Sequence, residues 1–306
     1  DPVPSVHERV PKVRDRPELF AHLLFDEPDV RDAYRDEADG TGRSLGYYAL
    51  PMERATAAHR EVDPNHPTLL VVDNTYKPDN WYVYGEIADI LSTDPYGTAD
   101  VINPGTLSYV VQSTETASSA CAPRPLIVIL QAFYNMAAGF ERMPDRIEER
   151  IMAYYAVGSG AKGIHYFWYP SEPPKLFGLR GRPLWDEVGR INAELQLAAP
   201  LLSRGYPIEE TVSTSQDGLW HRALLCGKRS LIITLVNETY EYEDWRSSDG
   251  RYDIDLLEDV EVEVEVPPWM EVADVFEFTY QGPVRLPYAV DDGRVRVSAG
   301  EVDSGK

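Results

Sequence analysis

The sequence predicts an α/β protein, a (β/α)8-type barrel followed by an all-β sandwich, and three observations support this fold class. Up to about residue 202, short apolar runs alternate with amphipathic segments, which is typical of parallel strands joined by helical crossovers. Each predicted strand ends in a polar or aromatic cluster, such as FDEPD, and in a barrel all these ends meet at one mouth. After about residue 205, short alternating segments are separated by turn signals. We therefore predict a barrel domain over residues 1–205 and a β-sandwich domain over residues 206–306.

Five strands are predicted in the barrel domain, because each is a nearly continuous apolar run that suits a strand covered on both faces. They are Leu19–Phe25, Thr68–Val72, Ile87–Ser92, Leu126–Leu130 and Gly163–Trp168. Helices are predicted at Thr41–Asp63, Asn103–Ser119, Asp145–Gly158 and Leu184–Leu202, with a further helical segment in residues 1–18 before the first strand. A closed barrel needs eight such units. We therefore expect the first three units to be absent from this chain, and either to come from the rest of the native protein or to be replaced by an unusual closure.

The second domain is predicted from short, alternating segments rich in β-branched residues. The predicted strands are Thr211–Ser215, Leu219–Cys226, Ser230–Val236, Val260–Val266, Val272–Phe278 and Arg294–Ser298. The run DVEVEVEVP at 259–267 alternates strictly, so one face is apolar and the other carries a row of Glu side chains. This pattern predicts a half-buried antiparallel strand.

Composition and motifs exclude several classes of function. Acidic residues outnumber basic ones 51 to 29, for a net charge of −22, so we expect no nucleic-acid partner and no membrane partner. No GxGxxG or GxxxxGK[ST] motif follows any strand, which argues against a nucleotide-binding sheet. The six His residues form no HxxxH or HxH pair, and no metal-ligand spacing surrounds Cys121 or Cys226. The sequence therefore predicts no metal site and no cofactor.

The phrase LFAHLLFDEPD at 19–29 resembles bacterial glycoside hydrolases and related barrel proteins, where Asp-Glu-Pro closes the fourth barrel strand. HPTLLVVDNT resembles their fifth strand, ADILSTDPYG their sixth, PLIVILQAF their seventh and GIHYFWY their eighth. WDEVGRINAELQLAAPLL resembles the closing helix that leads into an accessory β domain. The resemblance covers most of residues 11–300. It implies a carbohydrate-active protein that acts on an oligosaccharide or polysaccharide. The sequence leaves the localisation open and favours a protein outside the cytoplasm or secreted.

Glu27 is the candidate general acid/base, with Asp26 assisting it. Glycoside hydrolysis normally needs two carboxyl groups, and Glu27 directly follows an apolar strand, where partial burial would raise its pKa. The alternative is that Asp26 and Glu27 only cap the next helix, with Pro28 in its first turn. The two roles are compatible.

The second carboxyl group is left open by the sequence. In the retaining clan that the resemblance implies, the nucleophile is a Glu at the end of the seventh strand, whereas this chain has Gln131 there. Asp26 could orient a 2-acetamido group while Glu27 acts as acid/base. Asp73 or Asp94 could instead serve as nucleophile or as the base of an inverting pair. The remaining alternative is a carbohydrate-binding or structural barrel that cleaves nothing.

The predicted substrate-binding residues also follow strand ends. They are Asp73, Asp94, Tyr96, Gln131, Trp168 and Tyr169. Sugars stack their apolar faces on aromatic rings, and three further rings could join such a platform: Tyr76, Trp81 and Phe133. Glu141, in the loop after the seventh strand, could replace the missing carboxylate. The alternative for the rings is packing at the barrel top, and for the aspartates it is turn formation.

Overall fold

The computed structural model describes residues 2–39, 46–73, 78–97, 107–133, 143–167, 173–242 and 252–306. The chain divides into two compact units. One consists of Asp1–Pro95 with Gln112–Ile129, and the other of Tyr96–Val111 with Leu130–Lys306. The domain boundary near residue 205 stays a prediction.

The first unit alternates helices with parallel strands. A helix, α1 (Val3–Arg9), and a 3₁₀ turn (Val10–Lys12) precede β1 (His22–Asp26), α2 (Pro28–Asp39), α3 (Ala49–Val62), β2 (Thr68–Val72), α4 (Pro78–Tyr84) and β3 (Ile90–Thr93). Two further elements follow, α5 (Tyr109–Cys121) and β4 (Leu126–Gln131), whose bounds cross the division between the units.

The parallel sheet confirms the five predicted barrel strands. Its order is β1-β2-β3-β4-β5, the order of the strands in the chain, and β5 spans Gly163–Phe167. Every residue of β2 and β3 is buried, as expected where helices cover both faces of a sheet. Among the residues that the structure describes, β1 pairs with β2 alone and Leu23 of β1 is 56% exposed. Closure of a full barrel by three further units stays a prediction.

Helix boundaries differ from the predictions for identifiable reasons. The predicted helices did not include α2 or α4, because α2 is dominated by charged residues and α4 is one short segment between two strands. The start of α2 at Pro28 agrees with the alternative in which a helix follows Asp26 and Glu27. The helix predicted to begin at Leu184 is α7 (Pro173–Leu202), which begins before Pro183 and continues through it. A proline removes one backbone donor and normally ends a helix pattern, so the sequence placed the start too late. α6 (Arg146–Gly158) begins after Asp145, as predicted, and Asp145 forms a capping box with Glu148.

The rest of the second unit consists of separate antiparallel sheets. One has the order β15-β16-β12-β7, another β6-β8-β9, and two are hairpins, β10-β11 and β13-β14. The strands are β6 (Gly205–Ile208), β7 (Val212–Ser213), β8 (Leu219–Cys226), β9 (Leu231–Asn237), β10 (Glu241–Tyr242), β11 (Tyr252–Asp253), β12 (Leu257–Glu265), β13 (Phe276–Thr279), β14 (Gly282–Arg285), β15 (Tyr288–Asp291) and β16 (Arg294–Val302).

Strand β12 shows the alternation that the sequence predicts. Val260, Val262 and Val264 are buried in a cluster that includes residues of the three-stranded sheet, such as Ala223 and Leu235. The alternate face carries Glu263, which accepts hydrogen bonds from Arg294 and Arg296 of β16 at 2.7 and 3.4 Å. None of the helices in the described ranges is long and apolar enough to cross a membrane.

Candidate active site

Three carboxylates converge at the carboxyl ends of the first three strands. Glu27 follows β1, Asp73 follows β2 and Asp94 follows β3. Because these strands are parallel and adjacent, their carboxyl ends lie at the same edge of the sheet. One carboxylate oxygen from each residue lies within 4.8 Å of the other two. The structure thus brings together three of the residues that the sequence predicts, although they are far apart in the chain.

Glu27 has an unusual backbone conformation. Its φ is +53°, in the left-handed region, which costs a non-glycine residue about 1–2 kcal/mol. Its backbone N–H donates to the carbonyl oxygen of Val71 at 3.1 Å, and α2 begins immediately afterwards at Pro28. The sheet and the helix therefore hold the chain in this conformation from both sides. Strain of this kind in a partly buried carboxylate is typical of functional sites.

The carboxylates raise one another's proton affinity. Burial first, and then the charge of Asp73, raises the pKa of Glu27 above its usual value. Burial also raises the pKa of Asp94, which is only 3% exposed, and the nearby charges of Asp73 and Glu27 raise it further. A hydrogen bond between the Glu27 and Asp94 side chains needs a proton on one of them, and such a bond lowers the pKa of Glu27 and raises that of Asp94. The pair can therefore hold a proton where isolated carboxyl groups would have lost it.

A fourth carboxylate, Asp29, positions Asp73. The backbone N–H of Asp73 donates to both oxygens of Asp29 at 3.1 Å, and Trp81 Nε1 donates to Oδ2 at 3.0 Å. Asp29 is fully buried, and this burial raises its pKa to about 7. Sequence reasoning treated Trp81 as a possible sugar platform. That interpretation is wrong, because Trp81 is 1% exposed and its ring nitrogen binds Asp29.

One helical turn further along α2, Asp32 repeats this arrangement. It accepts hydrogen bonds from the Tyr84 hydroxyl at 2.8 Å and from the Gly46 N–H at 2.9 Å. The two aspartates thus connect α2 to α4 beside the site. Their spacing is visible in the sequence as the repeat of Asp29 and Asp32, but nothing in the sequence indicates their partners.

Asp26 stands apart from the three converging carboxylates. It is the last residue of β1, and its side chain is exposed. Its negative charge is one of the smaller influences that raise the pKa of Glu27. Its predicted role as an assisting residue stays a prediction.

The second unit contains the remaining predicted site residues. Gln131 ends β4, is fully buried, and donates from Nε2 to the carbonyl oxygen of Phe133 at 3.2 Å. Tyr96, Phe133 and Phe167 form a cluster of rings, with centroid distances of 5.1 Å for Tyr96 to Phe133 and 5.3 Å for Phe133 to Phe167. Phe167 is 46% exposed and was not predicted, because it lies inside a strand pattern. Several further predicted residues lie outside the described part of the chain: Tyr76, Glu141, Trp168 and Tyr169.

Oxygen ligands such as these three carboxylates are also those that hard divalent cations prefer. Glu27, Asp73 and Asp94 could therefore hold a cation as well as a proton.

Comparison with known proteins supports the fold. No protein-family model matches the chain, and no curated protein matches its sequence. The structure is similar to that of a cycloisomaltooligosaccharide glucanotransferase from Paenibacillus sp. complexed with cycloisomaltoheptaose, with a TM-score of 0.60, 9% identity, and coverage of 86% of this chain and 58% of that one. It is also similar to a structure described as a glycoside hydrolase, with a TM-score of 0.50, 15% identity, and coverage of 99% of this chain and 63% of that one.

These comparisons show that the backbone of this chain is folded like those of the two structures. At 9% and 15% identity, the likeness concerns the backbone, and functions vary widely on one fold. The chain has an α/β fold similar to that of both structures, and it spans less than two thirds of the length of each.

Proposed function

We propose that this chain is part of a carbohydrate-active protein that hydrolyses a glycosidic bond, with Glu27 as general acid/base. The observation that carries the proposal is the grouping of Glu27 with Asp73 and Asp94 at one edge of the sheet. Similarity to glycoside-hydrolase folds supports the same class of activity. Glycoside hydrolysis needs a carboxylic acid with a raised pKa next to a second carboxylate.

In the proposed reaction, Glu27 donates a proton to the glycosidic oxygen as the bond to the anomeric carbon breaks. Glu27 is more exposed than its neighbour Asp94, which is buried. It is therefore the better placed to reach a substrate. In the second step, Glu27 accepts a proton from the attacking water and returns to its initial state.

Asp73 is the second carboxylate in this proposal. Its oxygen lies within 4.8 Å of the oxygens of Glu27 and Asp94. Carboxyl groups are about 5–5.5 Å apart in retaining glycosidases and about 6.5–9.5 Å apart in inverting ones. In this proposal Asp73 attacks the anomeric carbon in a retaining reaction, so no carboxylate is needed at Gln131. The bond from Asp29 to the Asp73 backbone would hold the nucleophile in position.

The substrate in this proposal is an oligosaccharide or polysaccharide. Asp26, which is exposed, would assist by orienting a substituent of the sugar. The ring cluster of Tyr96, Phe133 and Phe167 supports stacking of a sugar ring, and we assign Trp168 and Tyr169 to the same role from their place in the sequence.

The second candidate is a carbohydrate-binding or structural protein without catalysis. Gln131 supports it, because this position carries the nucleophile in the clan that the sequence resembles. The buried amide of Gln131 cannot attack an anomeric carbon.

Hydrolysis of aryl glycosides tests the proposal and separates the two candidates. A panel of 4-nitrophenyl and 2,4-dinitrophenyl glycosides would be offered to the wild-type chain and to the Glu27→Gln, Asp73→Asn and Asp26→Asn variants. Loss of a general acid is expected to lower kcat about 10²–10⁴-fold on the 4-nitrophenyl substrates. The loss should be much smaller on the dinitrophenyl substrates, because their leaving group needs less protonation. Asp73→Asn should lose both activities.

The matched control is Glu53→Gln, which removes an exposed carboxylate from α3 and should leave the rates unchanged. Unchanged hydrolysis in Glu27→Gln would contradict the assignment of the acid. If the wild-type chain binds oligosaccharides in calorimetry but hydrolyses none of the glycosides, the second candidate is the better account.

A further inference from the structure

A second group of metal-ligand side chains lies at the opposite end of the same strands. His22 is the first residue of β1, Asp63 follows α3, and His66 lies just before β2. Asp63 Oδ2 is 2.8 Å from His22 Nε2 and 2.8 Å from His66 Nδ1. The three ligand atoms all lie within 4.8 Å of one another. Two imidazoles and a carboxylate therefore point at one small region.

The backbone around these residues is held in place on both sides. The N–H of His22 donates to the carbonyl oxygen of Pro67 at 2.9 Å, and His22 is in register with Thr68 across the β1–β2 pair. Asp63 ends α3 with its N–H bonded to the carbonyl oxygen of His59 at 2.7 Å. The other oxygen of Asp63 accepts from the N–H of Asn65 at 3.2 Å. This second bond orients the carboxylate, as outer partners commonly do for metal ligands.

The burial of these three side chains suits a structural metal ion. The side chains of His22 and Asp63 are 6% and 2% exposed, whereas that of His66 is 23% exposed. An ion would therefore enter from the His66 side, and water could fill a fourth position there. A further imidazole lies nearby, since the ring centroid of His59 is 4.9 Å from that of His22. Its Nδ1 bonds to the Ala55 carbonyl oxygen, which can only accept, so Nε2 keeps a free lone pair.

We propose that His22, Asp63 and His66 form a structural zinc site. Imidazole nitrogen and carboxylate oxygen are ordinary zinc ligands, with Zn–N of about 2.0–2.1 Å and Zn–O of about 2.0–2.2 Å. Small movements of the three side chains would convert the present hydrogen bonds into coordination. The ion would connect the α3–β2 turn to the start of β1, at the end of the strands that contributes to stability rather than to catalysis.

The position of the group also separates it from the candidate active site. His22 begins the strand that Glu27 follows, so the two groups lie at opposite ends of β1. Zinc at this site would be needed for folding and not for the hydrolytic step. The site is therefore independent of the proposed function and can be tested without a known substrate.

Calorimetric titration of Zn²⁺ into the tag-free, EDTA-treated chain tests the proposal. We expect one tightly bound ion per chain and an unfolding midpoint that rises when zinc is added. His66→Ala and Asp63→Asn should each weaken zinc binding at least about 100-fold, since loss of outer partners alone costs about 10–100-fold. His66 is the primary position because its partial exposure makes the substitution tolerable to the fold. His7→Ala, which removes an exposed imidazole of α1, is the matched control and should bind zinc as the wild type does.

Two results would overturn the proposal. One is a wild-type chain that binds no stoichiometric zinc, in which case the two histidines and Asp63 form hydrogen bonds only. The other is a folded His66→Ala chain that binds zinc as tightly as the wild type. Asp73→Asn identifies the alternative location, because loss of zinc binding in that variant would place the ion among the carboxylates of the candidate active site.

Discussion

Replacement of Asp29 by Asn tests whether a buried carboxyl group beside the candidate site holds a proton in the folded protein. Burial raises the pKa of Asp29 from 3.8 to about 7. The folded state therefore binds a proton that the unfolded state has released between these values, so the stability of the wild type falls as pH rises from about 4 to about 7. At 1.36 kcal/mol per pKa unit, the fall amounts to about 4 kcal/mol. Asn cannot ionise, so the variant lacks this fall.

The measurement is urea unfolding of the wild type and Asp29→Asn at pH values from 4.5 to 7.5, followed by tryptophan fluorescence. Loss of one accepted hydrogen bond from Asp73 or Trp81 costs the variant about 1 kcal/mol. That cost is the same at every pH and cancels in the comparison. The variant should therefore gain stability relative to the wild type as pH rises, while the exposed Glu53→Gln control should not. A difference between Asp29→Asn and the wild type that stays constant across this range would refute the reasoning.

Four further predictions use other parts of the structure. Because its pKa is raised, Glu27 should stay protonated above the usual carboxyl range, so glycoside hydrolysis should fall as pH rises through that higher pKa, as a pH–rate profile would show. Asp145→Ala should destabilise the chain by about 1 kcal/mol in urea unfolding, because it removes the N-cap of α6. Gly158→Ala should destabilise by about 1–3 kcal/mol, because its Cβ would meet the Trp220 ring. Gly189→Ala, with open space around it, should instead stabilise helix α7 by about 0.5–1 kcal/mol; equal midpoints for the two glycine variants would contradict the packing argument.

The proposed zinc site consists of residues that are close in space, although two of them are far apart in the sequence. His22 and Asp63 are 41 positions apart, and their side chains are within 2.8 Å. Sequence spacing therefore predicted no zinc site, because it only detects ligands within one helix or one turn. Their closeness depends on the pairing of β1 with β2, which no local pattern reports.

The sequence by itself determined where the parallel strands lie and which polar residues end them. A strand covered on both faces is largely apolar, so Thr68–Val72 and Leu126–Leu130 are visible as nearly continuous apolar runs. Strict alternation likewise identified β12, because only one of its faces is buried. These patterns report which faces of each strand are buried.

Only the tertiary structure decided which of these residues form a site. Parallel pairing brings Glu27, Asp73 and Asp94 to one edge of the sheet and leaves Asp26 exposed and outside this group. The left-handed backbone at Glu27 and the buried bond from Asp29 to the Asp73 backbone depend on contacts across the sheet and between helices. A sequence pattern records how much of a residue is buried, whereas the identity of its neighbours follows from strand register and helix packing, which are properties of the assembled fold.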